Sequence, residues 1–365
     1  MHIPDGYLSP VTCAILYASA APFWYVAMNR VKRLLNTKLV PLLSVFAAFS
    51  FVIMMFNIPL PGGTTGHAVG VGIATIVLGP WGSILAISVA LLIQALFFGD
   101  GGITAFGANC FNMAIVGSLV AYAVYRIGAG NSPLKSTRRV IAAAFAGYAA
   151  INAAAFVASI EFGIQPLLFH DASGAPLYAP YPLHIAIPAM MLGHLTFAGL
   201  AELIVTGGVV AYLQKSDASL LKMTAPNAPD EPDKKVSGWR ATKPLWIGLA
   251  ALMILTPLGL LAAGTAWGEW SSADFNNPAV RQEIQNASQN QAPPAAAPAQ
   301  LEKLSSIWTA PIPDYAPAFM SSADFGYIFS AMFGTGLIIA LFLLFGWITR
   351  FFNRGEFSSS ETENE

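Results

Sequence analysis

A chain that opens Met1-His2 offers three nitrogens to a single metal ion. They are the terminal amine, the backbone amide of His2 and its side-chain Nδ1. The amine and amide close a five-membered ring with the metal, and the amide and imidazole close a six-membered one. The three donors lie nearly in a plane, and a fourth nitrogen completes the square that Ni(II) and Cu(II) favour and Zn(II) does not. The following Pro4-Asp5-Gly6 reads as a turn that directs the first two residues inward, with the Asp5 carboxylate capping backbone rather than ligating.

Four histidines could supply the fourth nitrogen: His67, His170, His184 and His194. His67 lies in Gly62-Gly63-Thr64-Thr65-Gly66-His67-Ala68-Val69-Gly70. Glycines there let a folded-back tail approach closely, although a plain turn before a helix would look the same. His170 and His184 border an external loop and read as solvated or interfacial. His194 and Glu202 fall inside an apolar stretch, where ionisable groups face protein and find partners. They stand roughly 12 Å apart along one helix, so they do not pair, and interhelical hydrogen bonding is their favoured role. Gln94, Asn109 and Asn112 also lie in or beside apolar stretches. Each amide must be hydrogen-bonded, because burying a bare one costs roughly 2–7 kcal/mol. They serve either helix–helix adhesion or support of the metal loop.

The elements that position these residues belong to a membrane protein. Hydrophobic residues make up 55% of the 365 and charged ones 10%, and the apolar runs are of spanning length. The net charge of −1 and the lack of a basic stripe give no sign of nucleic-acid binding. Cys13 and Cys110 both sit in apolar runs and read as small packing residues. The first residues lack the basic start of a signal peptide, and Met1 is expected to be retained before the bulky His2.

Nine apolar segments are expected, at 10–29, 39–58, 67–79, 81–98, 104–125, 140–160, 184–213, 245–267 and 325–349. The third is short, a half-span or buried helix ended by Gly79-Pro80. Lys and Arg cluster after the first, fifth, seventh and ninth segments, among them Arg30, Arg33, Lys38, Arg126, Arg138, Lys215, Lys234, Lys235, Arg240 and Arg354. The positive-inside rule makes those loops cytoplasmic. All nine segments are needed for this parity. It puts the N-terminus outside and the C-terminus inside. The fold expected is therefore an all-α membrane protein: a seven-segment helical bundle with one short helix, then two further transmembrane helices. The domains read as 1–215, a cytoplasmic linker 216–243, a two-helix part 244–350 with an outer loop 268–324, and a cytoplasmic tail 351–365. The low-complexity stretch 291–300 is expected to lack a fixed fold.

Three motifs in order, Met1 to Pro10, the glycine-rich loop at His67, and Gln94-Ala-Leu-Phe-Phe-Gly99-Asp100-Gly101-Gly102-Ile103-Thr104-Ala-Phe-Gly-Ala-Asn109, resemble the substrate-binding membrane subunit of nickel and cobalt energy-coupling-factor transporters, the NikM/CbiM family. The resemblance covers roughly residues 1–215. It implies Met1, His2 and His67 as metal ligands, with Asp5, Gln94 and Asn109 as candidates to support them. It implies Ni(II) as transported substrate, with Co(II) the alternative and no organic cofactor. Cobalt members tend to have Glu in place of Asp5 and a His before the Gly-Gly pair, which this chain lacks. Pro313-Asp314-Tyr315 before the last span is similar to the small companion subunit, NikN, here fused. The family implies a coupling membrane subunit and two ATPase subunits as partners, in the bacterial cytoplasmic membrane and its lipid. The chain has no Gly-x-x-x-x-Gly-Lys-Ser/Thr loop of its own to bind ATP. Rival readings are an intramembrane enzyme using His194 and Glu202, and a channel or secondary transporter. Against the last stands the scarcity of charge inside the spans.

Overall fold

The structure, a computed structural model, describes residues 1–34, 39–61, 63–229, 239–262 and 264–361. The chain forms α1 (Pro10–Leu34), α2 (Leu39–Met54), β1 (Ile58–Leu60), β2 (Thr64–Gly66), α3 (Val71–Ile93), α4 (Phe106–Asn109), α5 (Gly117–Ala129), α6 (Thr137–Leu168), α7 (Leu183–Gly193), α8 (Gly199–Ser216), α9 (Trp239–Leu255), α10 (Pro278–Ala287), α11 (Ala299–Leu304) and α12 (Ala323–Glu361). Seven of the described helices are long and apolar enough to cross a bilayer, and Val40–Met54 is a shorter apolar one. The protein is an all-α, multi-pass membrane protein. Among the described residues the one sheet is the antiparallel pair β1–β2, with Ile58 opposite Gly66.

The short third segment is real, and the chain turns sharply at its end. Gly79 breaks α3 with φ 72° and ψ 167°, a backbone region that only glycine enters without cost. Thr75 Oγ1 donates to Ser83 Oγ at 3.0 Å. Eight residues of straight helix would hold them roughly 12 Å apart, so the chain doubles back at Gly79. Residues 71–78 form a buried half-span and residues 80–93 run back toward Asp100. Pro80 suits the first position of the returning helix, where its missing N–H is not needed.

Small residues let the bundle close. On α6, Ala143, Ala146, Ala150 and Ala154 are buried. In lipid, helix association rests on such close packing and on polar bonds between helices. Exposed Leu195, Leu200, Ile204 and Phe325 form the outer apolar surface that a bilayer requires. Three π turns interrupt the helices, at Gln94–Phe98, Cys110–Val116 and His194–Ala198. Each widens the helix by one residue where a polar side chain must be aimed.

Several expectations need correction. The sixth segment does not stop at 160: α6 runs to Leu168. Glu161 is therefore a buried helix residue and no loop residue, paired to Asn112 Nδ2 at 2.7 Å. The stretch 291–300 is held in place. Arg281 donates to the carbonyls of Pro293 and Pro294, Tyr181 Oη donates to Gln291 O, and Gln300 N donates to Leu177 O. The region read as a linker starts as a 3-10 turn, Ala218–Thr224, fixed to the half-span by Thr224 Oγ1 donating to Ile76 O at 2.7 Å. Its Lys234 and Lys235, like Lys38, lie outside the described residues. Helix α12 continues through Glu361 into the region read as a tail.

Candidate metal centre

The N-terminal tail is threaded into the bundle. Met1, His2 and Ile3 are 3%, 1% and 0% exposed. Asn109 clamps the next peptide from both sides: Ile3 N donates to Asn109 Oδ1 at 2.8 Å, and Asn109 Nδ2 donates to Ile3 O at 3.1 Å. Gly102 N donates to the same carbonyl at 2.8 Å. A Cβ on Gly102 would stand 2.3 Å from Asp5 N, so only glycine lets the two strands of chain lie this close. Both Asp5 oxygens are used, accepting from Ile103 N at 3.1 Å and from Thr104 N at 2.7 Å and its hydroxyl. Asp5 thus caps backbone, and it holds the tail against the Gly101-Gly102 turn.

Two carboxylates hold the proposed ligands. The Met1 amine pairs with Glu269 Oε1 at 2.8 Å. His2 Nδ1 pairs with Asp100 Oδ1 at 2.9 Å. The other Asp100 oxygen accepts from Tyr315 Oη at 2.5 Å and Gln94 Nε2 at 3.1 Å, and Gln94 Nε2 also reaches Tyr315 Oη at 2.9 Å. Burial alone would raise the Asp100 carboxyl, but the charge and hydrogen bond of His2 win and hold it well below the usual carboxylate range. Burial and the Asp100 charge push the Tyr315 hydroxyl well above its ordinary value, so it stays a donor. Gln94 belongs to this cluster rather than to helix adhesion alone.

The rings of His2 and His67 lie 5.0 Å apart between centroids, tilted by 32°. His67 is buried, 6% exposed. Its Nδ1 meets Ala68 O at 3.1 Å. A carbonyl only accepts, so Nδ1 carries the hydrogen and Nε2 keeps the lone pair. The loop behind it is anchored by Glu202 of α8, which accepts from Val69 N, Gly70 N and Gly72 N at 2.8, 2.9 and 3.2 Å. A cavity of about 290 Å³ opens beside His67, walled by Asp100, Glu269, Asp314, Tyr315 and Met55. Among the described residues, no group of three or more His, Cys, Asp and Glu side chains is arranged to hold a metal ion.

The other candidates stand apart. His170 and His184 are exposed. His194 Nδ1 meets Met190 O of its own helix at 2.8 Å, so it does not bridge helices as expected. Asn112 does bridge helices, to Glu161. With His194 and Glu202 bonded separately to main chain, nothing assembles them into a catalytic pair. Sequence reasoning missed Asp100, Glu269 and Tyr315. Asp100 stood in a quoted motif and Tyr315 in another, but their meeting is tertiary. Glu269 carries no local signal.

A buried tail, a histidine loop and two carboxylates inside a multi-pass helical bundle define a membrane component that takes up a metal cation, and known proteins agree. Residues 2–220 match the family described as cobalt uptake substrate-specific transmembrane region, and residues 242–351 match the PDGLE domain. The chain belongs to that cobalt uptake family, a family of transporter components and not of enzymes. It is 59% identical over 341 residues to the fused nickel transport protein NikMN of Rhodobacter capsulatus, covering 93% of this chain and 95% of that one. It is 46% identical to the probable fused nickel transport protein LarMN of Lactiplantibacillus plantarum, over 78% and 82% of the two chains. The cobalt transport protein CbiM of Thermosipho melanesiensis is 38% identical over only 34% of this chain and 54% of its own. A solved structure of a truncated transition metal transporter is 52% identical with a TM-score of 0.56, covering 59% of this chain and 99% of that one.

Proposed function

We propose that the chain captures Ni(II) from the outer side of the bacterial cytoplasmic membrane and is the substrate-specific part of an energy-coupled uptake transporter. The ligands are the Met1 amine, the His2 amide and Nδ1, and His67 Nε2. The observation that carries this reading is the buried Met1-His2 tail with its imidazole 5.0 Å from that of His67. With no three ligating side chains gathered among the described residues, a metal held at this tail draws on main-chain nitrogen, and four nitrogens in a plane suit Ni(II).

The nickel reading gains support from the full-length relatives, which carry nickel in their names across most of both chains. Cobalt is the second reading, favoured by the family description. Titration of purified protein with a native start by Ni(II), then by Co(II) in competition, tests this. Nickel is expected to bind with one ion per chain and to displace cobalt; preferential retention of cobalt would reverse the assignment.

Orientation follows from charge. The tail, Asp100, Glu269 and Asp314 gather at one end of the bundle. At the other, Arg126 donates to Thr224 O and Arg139 to Ser132 O, and the positive-inside rule makes that end cytoplasmic. The chain divides into a metal-capturing part over residues 1–215 and a fused companion part over 244–350. The family resemblance implies a coupling membrane subunit and two ATPase subunits for uptake, and the lack of an ATP-binding loop in this sequence fits that division. Vesicles holding this chain alone should bind nickel without accumulating it, and ATP-driven accumulation by the chain alone would refute the division of labour.

A further inference from the structure

We propose that Glu202 is a positioning residue for His67, the ligand that does not come from the tail; this rests on the nickel reading above. Glu202 is 0% exposed, in the middle of a transmembrane helix. Such a group marks a function or a necessary partner. Its partners are all donors: Val69 N and Gly70 N to Oε2, and Gly72 N with Thr206 Oγ1 at 3.3 Å to Oε1. Four donors on two oxygens describe the carboxylate, which only accepts.

The Gly70 and Gly72 amides are among those that helix geometry leaves open at the start of the half-span, where the helix dipole also favours an anion, and Val69 N lies just ahead of them. In hydrocarbon nothing else would satisfy them. The segment that carries His67 is thus pinned at both ends. Ahead of it, Gly66 is paired to Ile58. Behind it, Glu202 takes the amides of Val69 and Gly70, and Ser50 Oγ donates to the Val69 carbonyl at 2.7 Å. Between these anchors the His67 ring has little freedom, which a four-in-plane nitrogen site demands. Glutamine is no substitute. Its NH₂ would face N–H donors, and one oxygen would remain for amides that now share two.

The test uses the full chain with its native start, in detergent, as wild type, E202Q, E202D, H67A and the double variant. Partners that hold a metal ligand in place alter affinity by about tenfold or more, so Ni(II) titration of E202Q should show at least that loss. E202D, which keeps the charge, should lose less. The double variant should match H67A to within about twofold, because the effect runs through His67. Unchanged affinity in E202Q, or losses that add in the double variant, would overturn the proposal. A metal-free readout stands beside it. Diethylpyrocarbonate should modify His67 in E202Q about fivefold faster than in wild type, as loosening by about one kcal/mol would give; equal rates would also overturn the proposal. If wild type takes up no nickel, the nickel reading fails, and the modification rate still decides whether Glu202 holds His67. Should E202Q not fold, E202D carries both measurements, with a loss of about threefold expected.

Discussion

At the scale of single residues, the centre is held ready by carboxylates that a metal must displace. The amine is paired to Glu269 and the His2 Nδ1 to Asp100. An amine ligates only after losing a proton, and so does the His2 amide, whose proton leaves only under a directly bound metal. Protons and metal therefore compete, and affinity falls as the medium becomes acidic. In the metal-free protein the charge and hydrogen bond of His2 hold the Asp100 carboxyl well below the usual range. Calorimetry in buffers of different ionisation enthalpy should show at least one proton released per nickel at neutral pH; zero release would rule out the amide as ligand. One extra residue ahead of Met1 moves the amine out of the chelate and away from Glu269. The expected loss is about a thousandfold, about 4 kcal/mol, and normal nickel binding by the extended protein would remove the tail from the site.

At the scale of elements, two glycines decide whether the parts meet. Gly102→Ala would drive a methyl group into the backbone and carboxylate of Asp5, at 2.3 and 2.5 Å. The tail should shift, with nickel affinity falling at least about tenfold while helical content by circular dichroism stays as in wild type. Gly79→Ala forces a side chain into a positive-φ turn and should cost about 1–3 kcal/mol of stability, read as a lower midpoint of thermal unfolding in detergent. Much of this level was legible beforehand. Apolar lengths and loop charges gave the segments, and Gly79-Pro80 gave the break after the short one. Asp5, Gln94 and Asn109 could be named because an amide or carboxylate in apolar surroundings must find partners. Which partners was not legible. Asn109 binds Ile3 from more than a hundred residues away, and Glu202 reaches back to the His67 loop across 133 residues to Val69. Periodicity reports which face of a helix is buried, never which distant backbone waits there. The order in 291–300 was missed for a similar reason, since the Arg281 and Tyr181 side chains that fix its carbonyls lie outside the stretch itself.

At the scale of the whole molecule, the second part of the chain is built into the site of the first. Glu269 holds the amine, and Tyr315 steadies the carboxylate that holds His2. Further bonds fasten the two: Tyr7 Oη donates to Trp270 O at 2.7 Å, and Ile312 N to Phe97 O at 2.9 Å. Removing one member of a covered ion pair leaves the other without compensation. Glu269→Ala should therefore loosen the amine in the metal-free protein, read as faster acylation of the terminal amine, and a rate equal to wild type would show that the outer loop merely rests on the site.

The pairing of Met1 with Glu269 also sets an order of events during biosynthesis. The first residue leaves the ribosome long before its partner has been translated. The tail must wait until most of the polypeptide has followed it. A ribosome stalled ahead of codon 269 would thus display every proposed nitrogen ligand and still lack the group that holds the first of them.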